Sequence, residues 1–371
     1  MPVAGFGEED MSSVALLSGA RTGWKGPEID YREHGLHVFS EVELAEIERA
    51  LRHLLALPRR DFTDVTPESF PLDRLGDYMK GLCDTLRNGP GFALLRGIPR
   101  ERYSADEMAW IYVGLGSYLG RPTVQSSAGD VLGHVIDVHE IEPESRGYRK
   151  GGGQLMHVDS TDMCDVVGLM CLRAARSGGA SRIASATAVY RDIERRRPDL
   201  AAALREGYYY RRNAADGRHA TRMQSPHRIA AFAETAGELS CYFVTAYIRR
   251  AAEHDSPLTP AAQEALREVE RLASSPEFYL DMEFAEGDIQ FLNNRVTFHG
   301  RTDYQDDRDW ARRRHLMRLW LRVPGWPPLP ESQRFSTDED QRMWKGSRTT
   351  LQDLPSTHFE EIHRKSTTAE K

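Results

Sequence analysis

The sequence has little of several features that mark special classes of protein. Its four cysteines show no C-x-x-C spacing, which argues against a zinc ribbon and against a disulfide-rich secreted domain. No apolar stretch approaches the roughly 18–20 residues that span a bilayer. The first residues, MPVAGFGEED, are acidic and lack the apolar core of a signal peptide. We therefore expect a cytoplasmic protein with no membrane partner.

Two further absences concern phosphate groups. The net charge is −7 and there is no long basic run, so no nucleic-acid partner is expected. Neither G-x-G-x-x-G nor G-x-x-x-x-G-K-[ST] occurs, and the glycine triplet at 151–153 fits neither nucleotide-binding motif. The remaining composition is ordinary for a globular protein, with 40% hydrophobic and 28% charged residues. A small-molecule partner is expected, and homo-oligomer formation is left open.

Short apolar stretches bounded by turn residues predominate, with helices set between them. Capping boxes at 40–43 and 104–107 open predicted helices over 41–56 and 105–118. Other predicted helices cover 73–87, 187–205 and 260–273, and predicted strands cover 91–97, 131–139 and 166–172, with several more in 206–248. Residues 1–38 are predicted to be irregular. This pattern favours a mainly β fold with flanking helices, a jelly roll, over a doubly wound α/β fold.

We found no internal repeat and no interdomain linker. Residues 1–330 are therefore expected to form a single domain with N-terminal helical additions. Residues 331–371 are expected to be a C-terminal extension that is partly mobile, because they are rich in proline, serine and charge. The Gly-rich segment 121–156 is a candidate active-site lid.

The first chemical motif is His157-Val158-Asp159. Residues i and i+2 of a strand point to the same face, so this imidazole and carboxylate can share one cation. A second candidate ligand, His299, ends a short strand just before Gly300. In a chain with 13 histidines, either motif alone is more often structural than metal-binding.

The third motif is the strand that begins at Arg314. Alternation places Arg314, Arg318 and Trp320 on one face, with the two arginines roughly 13 Å apart. A buried guanidinium requires an anionic partner, and two such arginines could hold two different anions. The alternative is a solvated strand face. In order along the chain, the three motifs match the two-histidine, one-carboxylate triad of non-heme Fe(II) oxygenases, followed by an anchor for a dicarboxylate.

From about Gly91 to Val323, the sequence resembles the taurine dioxygenase and clavaminate synthase-like Fe(II)/2-oxoglutarate-dependent oxygenases. The resemblance rests on G-F-A-L-L-R-G, on H-V-D, on the G-G-A-S turn at 178–181, on N-N-R-V-T-F-H-G-R and on R-x-x-x-R-L-W-L, with support from 228–250. It implies a cupin-like double-stranded β-helix and the co-substrates 2-oxoglutarate and O₂.

The resemblance also implies roles for individual residues. His157, Asp159 and His299 would bind Fe(II), and Arg314 would pair with the distal carboxylate of 2-oxoglutarate. Arg318 matches a position that often meets an anionic group of the primary substrate. The family turn usually reads Gly-Gly-x-Thr, and here Ser181 replaces that threonine while keeping its hydroxyl. Two residues before the motif, Gln154 and Met156, are expected in the pocket wall.

The resemblance implies a dioxygenase that hydroxylates an unactivated C–H bond of a small molecule, one that is amino acid-like or otherwise bears a carboxylate, with release of succinate and CO₂. Desaturation, cyclisation and epoxidation in natural-product biosynthesis are alternatives at the same site. The intact Asp159 disfavours halogenation. A non-catalytic cupin-like metal-binding protein and a zinc- or manganese-dependent hydrolase or isomerase remain as alternatives of other classes.

Overall fold

The computed structural model describes residues 23–58, 60–143, 149–214 and 220–369. Helices in these ranges are α1 (Tyr31–His34), α2 (Glu41–Ala56), α3 (Arg74–Asn88), α4 (Ala105–Gly116), α5 (Ala186–Arg196), α6 (Pro198–Glu206), α7 (Thr245–His254), α8 (Pro260–Ala273), α9 (Asp338–Gly346) and α10 (Pro355–Ala369). Strands are β1 (Leu36–Val38), β2 (Phe92–Arg96), β3 (Arg121–Thr123), β4 (Leu132–Val135), β5 (Gln154–His157), β6 (Val166–Arg173), β7 (Ser177–Gly178), β8 (Ser181–Ser185), β9 (Phe232–Thr235), β10 (Glu238–Cys241), β11 (Tyr279–Met282), β12 (Ile289–Asn293), β13 (Thr297–Arg301), β14 (Tyr304–Gln305) and β15 (His315–Arg322).

The capping boxes set the starts of two N-terminal helices. Ser40 accepts from the backbone N–H of Glu43, and Glu43 accepts from the backbone N–H of Ser40. Ser104 and Glu107 make the same reciprocal pair at the start of α4. Because each pair satisfies two otherwise free N–H groups, the first residue of each helix follows from sequence alone. Both predictions are confirmed.

Two sheets carry the fold. The larger has seven strands in the order β1-β2-β12-β6-β15-β3, with β4 also paired to β15. Its pairings are antiparallel except for β1 with β2. The smaller sheet is antiparallel, in the order β11-β8-β13-β5. The predicted antiparallel sheets with flanking helices are therefore present, but the described helices contain more residues than the strands do.

Helices cover the sheets on two sides. Apolar residues of α2, α3 and α4 join those of the larger sheet in one core cluster. A second cluster combines α5, α6 and α8 with Met156 of β5 and Phe298 of β13. Each metal-motif strand of the smaller sheet is thus backed by packed apolar side chains, which limits its movement. In the described residues, no helix combines the length and the apolar character needed to cross a membrane.

Residues 206–248 differ from the prediction of several strands. Among the described residues of this segment, the β structure is limited to the short hairpin β9–β10 and two isolated bridges, and the segment ends in α7. Tyr208 and Tyr210 are buried, and Tyr208 pairs with Ile229 at a single bridge. Their aromatic side chains suit strands, but they are buried by packing rather than by a continuous ladder. In 1–38, residues 1–22 lie outside the described ranges, while α1 and β1 replace the predicted irregular structure.

The segments beyond the predicted core are also structured. In the segment 121–156, which was predicted to be a lid, β3, β4 and β5 belong to the sheets. The candidate lid is therefore limited to the described residues between β4 and β5. Residues 144–148 of this segment lie outside the described ranges. In the C-terminal extension, α10 buries Ile362 against Ile136 and Val138. The extension therefore packs on the loop that follows β4.

Candidate metal centre

His157 and His299 are brought together by strand pairing. They lie opposite each other in the register of β5 and β13, and their ring centroids are 4.4 Å apart. Asp159 follows β5 by two residues and is buried. One ligand atom from each of the three residues lies within 4.8 Å of the others. The structure therefore assembles the three predicted ligands around one point.

The two imidazoles are suited to metal binding. His157 Nδ1 lies 2.9 Å from the carbonyl oxygen of Leu155 and donates to it, which leaves Nε2 with a lone pair. Burial lowers the pKa of both rings, and for His299, with the nearby His157, to about 3. Both rings are therefore neutral near pH 7, the state in which histidine binds a metal. His299 Nε2 lies 3.9 Å from Asp159 Oδ2, too far for a hydrogen bond, which fits two atoms facing one cation.

Asp159 is fixed by two donors from β15. Arg318 Nη1 donates to Oδ1 at 2.9 Å, and Trp320 Nε1 donates to Oδ2 at 2.8 Å. Burial alone would raise the pKa of this carboxyl group, but Arg318 and the two histidines outweigh that effect and lower it. Asp159 is thus an oriented anion, as a metal ligand must be.

The backbone around Asp159 is fixed as well. Asn294 Oδ1 accepts from the backbone N–H of Asp159 at 2.8 Å, and Asn294 Nδ2 donates to the carbonyl oxygens of Asp159 and Cys164. Asn294 is fully buried and lies just after β12. Asn294 therefore links the segment that contains Asp159 to the turn that leads into β13, the strand of His299.

Arg314 lies at one side of a cavity that is also lined by His157 and His299. Its Nη2 donates to the carbonyl oxygen of Gly179 at 3.2 Å, while Nη1 is buried without a partner among the described residues. Burial, and then the charge of Arg301, lower its pKa to about 10. It remains a cation near pH 7, and its unpartnered donor fits a carboxylate ligand.

Ser181 and Gln154 line the same cavity, which both sheets border. Ser181 Oγ donates to Gln290 Oε1 at 3.0 Å, and the side-chain nitrogen of Gln154 lies 3.3 Å from His157 Nε2. Met156 is not brought to the cavity: it is 3% exposed and packs in the second core cluster. The expected place of Met156 in the pocket wall is therefore corrected. The residue points to the opposite face of the sheet.

Arg318 also lines the cavity, but its contacts differ from the sequence expectation. Besides Asp159, it binds Gln125, whose Oε1 accepts from Nε at 2.8 Å. The sequence indicated an external anion and gave no sign of a partner within the protein. Trp320, Gln125, Gln290 and Asn294 were not given roles from sequence. For Trp320 alone a signal existed, because alternation places it on the face of Arg318.

Comparisons with known proteins agree with this geometry. The family described as "Taurine catabolism dioxygenase TauD, TfdA family" matches residues 58–320. A taurine hydroxylase-like protein, SAT17, of Stachybotrys chartarum is 30% identical over 344 residues, covering 86% of each chain. FR-33289 synthase of Streptomyces rubellomurinus is 29% identical over 323 residues, covering 84% of this chain and 92% of that protein.

Solved structures share the fold. Asparagine oxygenase in complex with Fe(II), 2S,3S-3-hydroxyasparagine and succinate superposes with a TM-score of 0.60 at 18% identity, covering 77% of this chain and 93% of that chain. The non-heme iron oxygenase OrfP with Fe, succinate and (3S)-hydroxy-L-Arg gives a TM-score of 0.58 at 13% identity, covering 77% and 94%. With the matched family and the convergent ligands, these findings identify the chain as a member of the TauD/TfdA family, an enzyme that depends on Fe(II), 2-oxoglutarate and O₂.

Proposed function

We propose that the enzyme hydroxylates an unactivated C–H bond of a small molecule that bears a carboxylate, such as an amino acid, and releases succinate and CO₂. The observation that carries this proposal is the position of two arginines at the cavity of the metal centre: Arg314 just before β15 and Arg318 within it. Two fixed cations beside one metal site suit two anions, a co-substrate and a substrate. Desaturation, cyclisation and epoxidation are alternative outcomes at the same site.

The solved relatives support the choice of substrate class. Asparagine oxygenase holds a hydroxylated asparagine, and OrfP holds a hydroxylated arginine. Both compounds carry the carboxylate that a guanidinium binds bidentately. At below 25% identity these structures share the fold with this chain, so the amino-acid substrate is our proposal rather than an inherited property.

In the proposed mechanism, His157, Asp159 and His299 would hold Fe(II). When bound, the metal and 2-oxoglutarate would activate O₂ for oxidation of the substrate C–H bond, with one oxygen atom going to succinate and the other to the substrate. Arg314 holds the distal carboxylate through its unpartnered Nη1, and Ser181 offers a hydroxyl beside it. The protein itself contributes orientation of the reactants and exclusion of water.

Arg318 and Gln154 lie on the substrate side in this proposal. Arg318 would place the substrate carboxylate while it holds Asp159, so one guanidinium links substrate position to ligand position. We also infer that the two sheets form the two faces of a double-stranded β-helix. Residues of both sheets line one cavity, and the strands within each sheet are antiparallel except for β1 with β2. Residues 23–330 would then be one catalytic domain, with 331–369 as an extension packed on it.

Anaerobic titration tests the central claim. With Fe(II) and 2-oxoglutarate, the protein should develop a weak visible charge-transfer band, and His157→Ala should abolish it. His363→Ala, at an exposed position on α10, is the matched control and should keep the band. Absence of the band from wild-type protein that has bound iron would contradict the proposal. A screen of carboxylate-bearing compounds, read by succinate formation, then identifies the substrate.

A further inference from the structure

Arg301 is a buried cation in the active-site cavity to which neither the family resemblance nor the proposed function gives a role. It ends β13, two residues after His299, and is 7% exposed. Alternation along the strand puts its side chain on the face of His299, and it lines the cavity together with Arg314. Arg301 therefore lines the same cavity as His157 and His299 of the metal centre and as Arg314.

The guanidinium of Arg301 makes hydrogen bonds to the loop that leads into β5. Nη2 donates to the carbonyl oxygens of Lys150 at 2.9 Å and Gly152 at 2.7 Å, and Nε donates to Gly152 at 3.0 Å. Asp303, two residues further along, accepts from the backbone N–H of Gly153 at 2.5 Å. The chain after His299 therefore holds residues 150–153, the glycine segment, through both its carbonyl and its N–H groups.

The glycines allow this close approach. A Cβ atom at Gly151 would lie 2.5 Å from the carboxylate of Asp137, and one at Gly153 would lie 2.9 Å from that of Asp303. Gly152 has a φ of +82°, a conformation that favours glycine. The glycine segment is thus built to lie against Arg301 and Asp303, and it connects directly to Gln154 and His157 of β5.

Charge links Arg301 to Arg314. Both guanidiniums lie near the ring of Tyr304, with their Cζ atoms 4.8 and 5.3 Å from its centroid. Among the described residues, neither makes an ion pair with a carboxylate within 4.0 Å; their acceptors are backbone carbonyl oxygens. Two buried like charges are unfavourable side by side until an anion joins them. A dicarboxylate at Arg314 would remove this repulsion.

We propose that Arg301 is a positioning residue that couples co-substrate binding to the fastening of the glycine segment, and so to the placement of His157. This inference rests on the proposed role of Arg314 as the anchor of 2-oxoglutarate. Binding of the dianion stabilises the arrangement in which Arg301 stays in the cavity and holds the carbonyl oxygens of Lys150 and Gly152. By reciprocity, a fastened segment increases the affinity for 2-oxoglutarate.

The rate at which a lysine-specific endoproteinase cleaves after Lys150 measures how firmly the glycine segment is held. Lysines occur only at 25, 80, 150, 345, 365 and 371, so cleavage after Lys150 gives the distinct fragments 1–150 and 151–371. Fe(II)-loaded protein is digested under anaerobic conditions with and without 2-oxoglutarate, and the dissociation constant of 2-oxoglutarate is measured from the visible band. The variants are Arg301→Gln and Arg301→Lys. The matched control is Arg182→Gln. Arg182 lies on β8, which pairs with β13, and its guanidinium binds Asp281 of β11 outside the cavity lining.

In the wild-type protein and in Arg182→Gln, 2-oxoglutarate should slow cleavage at Lys150 about tenfold, a typical size for coupled sites. Arg301→Gln should be cleaved faster, should gain no protection from 2-oxoglutarate, and should bind it about tenfold more weakly. Arg301→Lys keeps the charge but loses the fork that holds two carbonyl groups, so protection should be lost and, by reciprocity, the affinity should fall about tenfold, as in Arg301→Gln. A cut at the new lysine gives a fragment of different mass.

Two results would overturn the coupling. In the first, folded Arg301→Gln binds 2-oxoglutarate as wild type does and is cleaved at the wild-type rate. In the second, Arg301→Gln is cleaved faster, but 2-oxoglutarate still slows its cleavage by the same factor as in the wild-type protein. Arg301 would then hold the glycine segment without linking it to co-substrate binding. Failure of the wild-type protein to bind 2-oxoglutarate would instead refute the proposed function itself. The far-ultraviolet circular dichroism of each variant establishes that it is folded.

Discussion

At the scale of single residues, the metal centre depends on side chains that do not touch the metal. Trp320 donates to one oxygen of Asp159 and Arg318 to the other. Groups in such positions orient a ligand and commonly change metal affinity by about 10- to 100-fold. The three ligands themselves could be predicted from sequence because their types and order are distinctive. Asn294 could not, because it acts on Asp159 across 135 residues of chain.

Trp320→Phe tests the orienting role. The substitution keeps an aromatic ring and removes only the Nε1 donor, so Fe(II) affinity should fall about tenfold. Titration of metal-free protein with Fe(II) under anaerobic conditions measures this. Trp344→Phe is the control, since the indole nitrogen of Trp344 is buried without a partner in the described structure. Equal iron affinity in both variants would show that the hydrogen bond from Trp320 to Asp159 does not contribute to iron binding.

Arg318→Ala tests the double role of Arg318. From sequence, only substrate use was expected to suffer. Removing the guanidinium also leaves the buried carboxylate of Asp159 without its cation, which commonly costs about 3–5 kcal/mol. We expect a lower free energy of unfolding and weaker iron binding as well as weaker substrate use, measured by chemical denaturation and anaerobic titration. Loss of substrate use alone would support the simpler view of Arg318.

At the scale of secondary-structure elements, helices with side-chain caps were predicted well and the segment 206–248 was not. A capping box acts within four residues, so the sequence contains all of its information. The hairpin β9–β10 and the buried Tyr208 and Tyr210 owe their places to packing against distant helices. Strand propensity reports a fit to such surroundings, and these are not visible in the local sequence.

The C-terminal helix α10 meets the larger sheet at a cluster of three histidines, His134, His315 and His358. His134 on β4 donates from Nε2 to the carbonyl oxygen of Asp353 at 2.9 Å, and its Nδ1 accepts from His315 Nε2 at 2.8 Å. The ring of His358 on α10 stacks on His134, with centroids 4.1 Å apart and 8° between planes. His315 begins β15, next to Arg314. The three rings therefore connect the extension to the strand of the co-substrate pocket.

Acid should weaken this contact. Burial lowers the pKa of all three rings; Asp353 and Asp130 partly oppose this at His134, while nearby cations, among them Arg149, Arg173 and Lys365, add to it across the cluster. The cations that lower these pKa values are Arg100, Arg149, Arg173, Arg314 and Lys365. The folded protein thus binds fewer protons than the unfolded chain below about pH 6.5, and stability is full above that pH and falls as the pH drops below it.

His358→Phe tests the contribution of one ring. Phenylalanine keeps the stack on His134 and cannot be protonated, and the Nε2 of His358 has no partner to lose among the described residues. The slope of unfolding free energy against pH between about pH 6.5 and 5 should become shallower by up to about 1.4 kcal/mol per pH unit. Denaturant melts at several pH values measure it. The exposed His363→Phe should keep the wild-type slope, and an unchanged slope in His358→Phe would exclude the ring from acid sensitivity.

At the scale of the whole molecule, the cavity is lined by residues from both sheets. His157, His299 and Ser181 come from the smaller sheet, whereas Arg318 lies on β15 of the larger sheet and Arg314 just before that strand. The chemistry of these residues could be predicted from their types and spacing. Which of them would contact each other could not, because the pairing of Arg318 with Asp159 follows from the approach of the sheets. Met156 was expected in the cavity but lies in the core, on a strand whose pairing with β13 has a register shift.

Ligand binding should stabilise the folded molecule as a unit, because the three iron ligands and the arginines come from separate strands. A ligand at 100 times its dissociation constant adds about 2.7 kcal/mol to the free energy of unfolding, which corresponds to a rise in Tm of about 3–4 °C for a chain of this length. Anaerobic differential scanning calorimetry should therefore show a higher Tm with Fe(II) and 2-oxoglutarate together than after treatment with a chelator. His157→Ala should remove this rise, while His254→Ala, at the exposed end of α7, should retain it. An equal rise in both variants would mean that the ligands stabilise the protein at some place other than the His157, Asp159 and His299 centre.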